Sequence, residues 1–210
     1  MFNPDFDAII LADGLFPHRK EIRELITKSN VVVCCDGASQ KLLDFGRIPD
    51  FVVGDLDSTP MELKTRFPEK MVYRPDQNSN DLTKSVEFCL TKGFKKLLIV
   101  GATGLREDHT LGNIALLHLY INKVEGIKMI SDWGVFTAIV QTTGFDSVPG
   151  QQISLFSLTP ETLISVEGLK YPIENCSLSS WWEGTLNEAL GTHFAIKLHN
   201  AGKIIVYQAF

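Results

Sequence analysis

The sequence predicts an α/β protein in two parts. Residues 1–132 read as a mostly parallel, doubly wound sheet with helices on both faces, and residues 133–210 as an all-β, sandwich-like part. Three observations predict this. The short apolar runs of the first part lack polar alternation, as strands do when both sheet faces are covered. They alternate with helix-like segments, the rhythm that builds parallel sheets. After Asp132 that rhythm stops, and Gly and Pro turns punctuate short β-rich runs.

Taken in order, Ala8 to Leu11 is a strand ending at Asp13-Gly14, and residues 19 to 28 are an amphipathic helix with Ile22, Leu25 and Ile26 on one face. Val31 to Cys35 is the next strand, ending at Asp36-Gly37. A short helix, Ser39 to Phe45, closes at Gly46. Phe51 to Val53 is a strand ending at Gly54-Asp55, and Met71 to Tyr73 is another. Asp81 to Lys92 is helical, with Gly93 as its C-cap. Lys96 to Val100 is a strand ending at Gly101, Thr110 to Tyr120 a helix, and Lys128 to Ser131 a last strand. In the second part the β runs are Val135 to Gln141, Gln152 to Leu158, Leu163 to Val166, Phe194 to His199 and Ile204 to Gln208. Asn200-Ala201-Gly202 reads as a hairpin turn between the last two.

Composition excludes several classes. A net charge of −5 with no basic run longer than two residues offers no footprint for nucleic acid. No stretch approaches the ~20 apolar residues of a membrane helix, and MFNPDFDAIILADG lacks the basic start of a signal peptide. The four cysteines form no C-x-x-C pair. Cys34 and Cys35 sit together in an apolar run, which suits buried thiols and a reducing cytoplasm. None of the five histidines has zinc spacing.

The chemistry lies in where the acids fall. In an open parallel sheet the ligand crevice is beyond the carboxyl ends of the strands, where Asp13-Gly14, Asp36-Gly37 and Gly54-Asp55 all fall. Asp55 and Asp57 in Gly54-Asp55-Leu56-Asp57-Ser58 can both point into one crevice if the strand runs on extended. Two close carboxylates repel unless one is protonated or a cation sits between them, and Mg²⁺ prefers such oxygen ligands. A solvated Asp-rich turn explains the same spelling. In Gln77-Asn78-Ser79-Asn80-Asp81-Leu82-Thr83-Lys84, Asp81 opens a helix whose free N–H groups suit an anion, or is simply a first-turn acid. Gly101-Ala102-Thr103-Gly104-Leu105-Arg106-Glu107-Asp108-His109 links a strand to a helix. Its glycines let backbone approach a phosphate, and Arg106 can pair with it bidentately. The spacing is neither a Walker A loop nor a dinucleotide fingerprint. Together the three elements describe a site for polyphosphate and metal.

These motifs resemble thiamine pyrophosphokinases: D-G-A at Asp36 to Ala38, P-D-F-V-V-G-D-L-D-S at Pro49 to Ser58, Q-x-x-x-D-L-T-K at Gln77 to Lys84, and G-A-T-G-x-R-x-D-H-x-L-x-N at Gly101 to Asn113. The tail adds G-x-x-I-S-L-F-S-L (Gly150 to Leu158), G-L-K-Y-P (Gly168 to Pro172) and Asn187-Glu188. The resemblance implies an ATP domain followed by a β-sandwich that binds thiamine, in a cytoplasmic homodimer with thiamine at the subunit interface. It implies that Asp55, Asp57 and Asp81 hold Mg²⁺. By the same resemblance Asp36, Gln77, Thr83, Lys84, Gly101, Thr103, Gly104, Arg106 and His109 bind ATP, and Asp108 and Arg106 join the acids in catalysis. Asp36, Trp181, Trp182, Asn187 and Glu188 are expected around thiamine, since an indole face suits a cationic aromatic ring. A Trp is equally suited to fill the β core. Three positions depart from the family pattern: Leu105 replaces a frequent second glycine, Asn80 replaces a Thr or Ser before the acid, and Leu186 replaces a Ser before Asn-Glu.

The implied reaction is in-line attack of the thiamine hydroxyl on the β-phosphorus of ATP, releasing AMP. Asp36 or Asp108 is expected to accept the proton. The competing readings are a non-catalytic thiamine or nucleotide sensor and a metal-dependent phosphohydrolase, both on the same fold.

Overall fold

The computed structural model describes residues 5–210. The start of the stretch read above as lacking a leader's basic start, Met1 to Pro4, lies outside them. The chain is a mixed α/β protein that divides into two compact units. One comprises residues 1–116 and 123–132, the other residues 117–122 and 133–210.

In the first unit six strands pair in parallel in the order β4-β3-β2-β1-β5-β6. They are β1 (Ala8–Leu11), β2 (Val32–Cys35), β3 (Phe51–Gly54), β4 (Met71–Tyr73), β5 (Lys96–Val100) and β6 (Gly126–Ser131). The apolar runs explain the centre of the sheet: β1 and β2 are buried at every position, and Ile10 is in register with Val33 on one side and Ile99 on the other. The helices are α1 (Lys20–Lys28), α2 (Ala38–Asp44), α3 (Met61–Arg66), α4 (Asp81–Thr91) and α5 (Glu107–Tyr120). Ile22 and Ile26 of α1, four apart and so on one helix face, are both buried. Helix α4 buries Leu82, Val86, Phe88 and Cys89 and packs along β1, β2 and β3. It ends as its sequence predicts: Gly93 has φ +82°, and the Phe94 N–H returns to the Cys89 carbonyl.

The order has one consequence for function. From β1 the chain steps outward through β2, β3 and β4, then returns to lay β5 on the other side of β1. The chain therefore runs on from β1 and from β5 toward opposite edges of the sheet, and their ends mark a topological switch point, where open α/β sheets take ligands.

The strands of the second unit pair in two antiparallel sets of four. One is ordered β12-β9-β14-β7, from β7 (Gly134–Ile139), β9 (Gln152–Ser157), β12 (Asn187–Glu188) and β14 (Ile204–Ala209). The other is ordered β11-β10-β13-β8, from β8 (Thr143–Asp146), β10 (Leu163–Glu167), β11 (Cys176–Ser177) and β13 (His193–Leu198). Ile153, Leu155, Ile204 and Val206 from the first share one buried cluster with Ile164, Phe194 and Ile196 from the second. Phe145 stacks on Phe194 with ring centroids 5.0 Å apart.

One reading needs correction. Asn200-Ala201-Gly202 is not a hairpin turn, because β13 pairs with β10 and β8 whereas β14 pairs with β7 and β9. The segment carries the chain from one sheet to the other. Asn200 holds it there, accepting from the Leu163 N–H at 2.8 Å and donating to the Glu161 carbonyl at 2.7 Å. Local turn chemistry is the same in both cases, and only the distant strand partners distinguish them.

Candidate active site

The loops after β1, β2, β3 and β5 and the start of α4 hold the polar residues singled out by the sequence. The β1 and β5 loops are laced together by backbone. The Gly14 N–H donates to the Gly101 carbonyl at 2.6 Å and the Leu15 N–H to the Thr103 carbonyl at 2.9 Å. Gly14 is needed for this approach, since a Cβ there would lie 2.5 Å from the Gly101 oxygen. Lys41 on α2 fastens the same loop, donating to the Asp13 and Gly14 carbonyls and pairing with the Asp13 carboxylate at 2.7 Å.

Asp55 and Asp57 do converge, by a different route from the extended strand expected. Strand β3 stops at Gly54, and Leu56 turns the chain through the left-handed region with φ +65°. Two acids flanking an extended residue would share a side by the period-2 rule. Here the turn brings them together, and the Asp57 N–H donates to Asp55 Oδ1 at 3.3 Å. That bond, followed by one from Gln77 Nε2 at 3.2 Å, holds the Asp55 pKa below its ordinary value.

Asp36, at the end of β2, joins them. Carboxylate oxygens of Asp36, Asp55 and Asp57 lie within 4.8 Å of one another, with Asp36 buried, Asp55 half-buried and Asp57 exposed. Burial pushes the Asp36 pKa up, against the opposing pull of hydrogen bonds from the Thr59 hydroxyl and the Ser58 N–H. Gly54 makes room for the convergence: a Cβ there would lie 2.8 Å from Asp36 Cβ and 3.3 Å from Asp81 Oδ1. The donor set is oxygen only, with neither thiolate nor imidazole in the group, and so fits a hard divalent cation rather than zinc.

Asp81 stands beside this group rather than in it. Its Oδ1 pairs at 3.0 Å with Lys84, whose side chain is buried. Asn80 caps α4, its Oδ1 accepting from the Thr83 N–H at 2.9 Å. The family pattern's hydroxyl at this position is thus replaced by another good N-cap. Just before α5, Arg106 grips Asp108 of its first turn from both Nε and Nη2, and Asp108 also accepts from the His109 N–H at 2.8 Å. Arg106 holds the Asp108 pKa down to about 2. Arg106, Asp108 and His109 are all exposed. Gly101 and Gly104 have φ +68° and +76°, and Leu105 follows with φ +67°, so it occupies a conformation that glycine adopts without strain.

In the second unit, Trp181 meets Phe156 edge-on at 5.9 Å, while Trp182 is 75% exposed. Asn187 is buried and spends its amide on backbone: Nδ2 donates to the Tyr171 carbonyl, and Oδ1 accepts from the Tyr171 and Glu188 N–H groups. Glu188 pairs with Lys170 at 3.1 Å. Leu186 is left-handed at φ +58°.

Sequence reasoning gave no role to Thr59, Lys41 or Asn113. Asn113 closes a quoted motif, and its Nδ2 donates to the Ala102 carbonyl at 2.8 Å. The hydroxyl directly after Asp-x-Asp-Ser was the available signal for Thr59, but its partner Asp36 is 23 positions away.

A parallel sheet that delivers acids and a glycine loop to its carboxyl rim defines the class: a mixed α/β protein whose polar loops gather where open sheets of this kind take ligands. Comparison with known proteins specifies it further. Residues 22–130 match the family model "Thiamin pyrophosphokinase, catalytic domain", and residues 134–207 match "Thiamin pyrophosphokinase, substrate-binding domain". The chain belongs to the thiamine pyrophosphokinase family. It is 30% identical over 152 residues to the thiamine pyrophosphokinase of Bacillus subtilis, covering 69% of this chain and 71% of the relative. It is 27% identical over 168 residues to thiamin pyrophosphokinase 1 of Caenorhabditis elegans, covering 73% and 69%. The crystal structure of the B. subtilis enzyme superposes with a TM-score of 0.79 at 24% identity, covering 96% of this chain and 98% of that one, and so shares the fold.

Proposed function

We propose that residues 1–132 form a doubly wound domain that binds ATP and Mg²⁺, and residues 133–210 a sandwich that binds thiamine, in a cytoplasmic homodimer with thiamine at the subunit interface. The activity is ATP-dependent thiamine pyrophosphokinase, transferring a pyrophosphoryl group to the hydroxyl of thiamine to give thiamine diphosphate and AMP. The observation that carries the site is the convergence of Asp36, Asp55 and Asp57 within 4.8 Å at the rim of the parallel sheet.

Asp55, Asp57 and Asp81 would hold Mg²⁺, with Asp36 closing the ring of carboxylates. Bound there, the ion would offset the phosphate charge that repels an incoming nucleophile. The chain's own residues do the positioning. Lys84 and Thr83 at the head of α4, Gln77, and the Gly101–Thr103–Gly104 loop cradle the triphosphate. Arg106 leaves Asp108 to meet the phosphate charge that builds up in transfer, and His109 borders the same pocket. The thiamine hydroxyl oxygen bonds to the β-phosphorus, the bond from that phosphorus to the bridging oxygen of AMP breaks, and the hydroxyl proton passes to Asp36 or Asp108. Trp182, which is exposed, and Glu188, on leaving Lys170, would meet thiamine directly, whereas Trp181 and Asn187 shape the wall behind them.

The test is incubation with ATP, MgCl₂ and thiamine, followed by separation of the products. Thiamine diphosphate and AMP formed together, and only with thiamine present, support the proposal. Thiamine-independent nucleotide cleavage would point to a phosphohydrolase, and binding without turnover to a sensor.

A further inference from the structure

Each acid of the cluster has a neutral hydrogen-bond donor beside it. Asp55 accepts from Gln77 Nε2, and Asp57 from the Ser58 hydroxyl at 2.9 Å. Gln77 and Ser58 are exposed, so water can replace them. Asp36 differs. Its Oδ1 accepts the Thr59 hydroxyl and its Oδ2 the Ser58 N–H at 3.1 Å. Asp36 and Thr59 are only 3% and 4% exposed. No solvent can fill in for a lost hydroxyl there, and a buried acceptor without its donor is costly.

Thr59 also joins two chain segments. It leaves the same loop that carries Asp55 and Asp57, while Asp36 comes from the end of β2. The backbone of β2 and β3 fixes where each segment ends, but not where the Asp36 carboxylate points. From this geometry we infer that Thr59 is a positioning residue: its hydroxyl holds the Asp36 carboxylate against Asp55 and Asp57, and so sets the affinity of the cluster for a divalent cation. It touches neither substrate nor cation. Partners one shell out from a metal commonly change its affinity by about 10–100-fold.

The inference rests on the cation reading given above, and the experiment separates the two. Mn²⁺ binding to the substrate-free protein is titrated by electron paramagnetic resonance for wild type, Thr59→Val, Thr59→Ser and Asp57→Asn, with the thermal midpoint and steady-state constants of each. Thr59→Val keeps the shape and removes the hydroxyl. It is expected to weaken Mn²⁺ binding about tenfold or more and to lower kcat, with KM for thiamine within about twofold of wild type. Thr59→Ser restores the donor and is expected within about twofold of wild type on every measure. Asp57→Asn is expected to abolish binding. Should Thr59→Val not fold, Thr59→Ala carries the same expectation. Wild-type Mn²⁺ affinity in a folded hydroxyl-free variant, beside a lost affinity in Asp57→Asn, overturns the role of Thr59 alone. Wild-type affinity in Asp57→Asn overturns the cation reading, and Thr59 with it. A Thr59→Ser variant as weak as Thr59→Val would show that the hydroxyl alone does not hold the cluster, and would overturn the role assigned to it.

Discussion

Asn80 and Asn113 join the start of α4 to α5. Asn80 Nδ2 donates to Asn113 Oδ1 at 3.4 Å, while Asn113 Nδ2 reaches the Ala102 carbonyl at 2.8 Å. The helix that carries Asp81 is thereby linked to the glycine loop after β5. Replacing Asn113 by Ala removes both contacts, and net hydrogen bonds of this kind are each worth about 1 kcal/mol. The expected result is a roughly fivefold rise in KM for ATP with little change in KM for thiamine. Steady-state kinetics with each substrate varied in turn checks it.

Asp57 is the exposed member of the acid cluster, so its side chain supports chemistry and not packing. Asp57→Ala is expected to cost at least about a hundredfold in kcat, the scale of losing one charge-stabilising group. Circular dichroism and the thermal midpoint should stay at wild-type values. Near-normal turnover would remove this residue from the mechanism.

Leu105 combines a left-handed backbone with a side chain 65% exposed. A non-glycine residue pays about 1–2 kcal/mol for that conformation, offset in part by the extra freedom glycine has when unfolded. Leu105→Gly is therefore expected to leave stability unchanged or raise it by up to about 1 kcal/mol. Urea unfolding decides it: a loss above about 1 kcal/mol would mean the leucine side chain packs more than its exposure indicates.

The four cysteines divide by burial. Cys34, Cys35 and Cys89 are buried and Cys176 is exposed. Burial pushes the Cys35 and Cys89 thiols up to about 12 and Cys34 well above its ordinary value. A thiol reagent at pH 8 needs the thiolate and access. One group should react quickly in the native protein and four in denaturant. More than one fast group in the native state would contradict the burial of β2 and α4.

Asp7 ties down the edge of β5, its Oδ2 accepting from the Lys95 and Lys96 N–H groups at 2.7 and 2.9 Å. The Lys96 N–H and then the Lys95 N–H lower its pKa below 3.8. A carboxyl depressed on folding contributes stability that is fully present above its unfolded pKa and is lost as the pH falls through the folded value. The stability gap between wild type and Asp7→Asn should hold steady above pH 4 and shrink below it. Denaturant melts at pH 7, 5, 4 and 3 test this, and a gap that widens toward low pH would refute the assignment.

Most of the parallel sheet could be read before any coordinates. Ala8 to Leu11 and Leu97 to Val100 are unbroken apolar runs, and a strand buried on both faces leaves that mark on its own residues. Helix α3 was missed because, among its residues, only Leu63 is buried and no apolar stripe forms. The β13-to-β14 crossover was read as a hairpin because a turn's sequence records its local backbone and not the strands on either side. At the site, the acids and the glycine loop were legible as residue types at strand ends. Their meeting was not.

By itself the sequence determined the longer elements of both parts and their order, the residues with the right chemistry and the family to which the chain belongs. These follow from side-chain size, polarity and spacing along one chain. Only the tertiary structure decided that Leu56 turns left-handed, that Asp36 rather than Asp81 closes the tightest group of carboxylates, and that Thr59 secures it. Those outcomes depend on which strands lie side by side and on burial that no single segment creates, and a hydrogen bond between residues 36 and 59 exists only after β2 and β3 have paired.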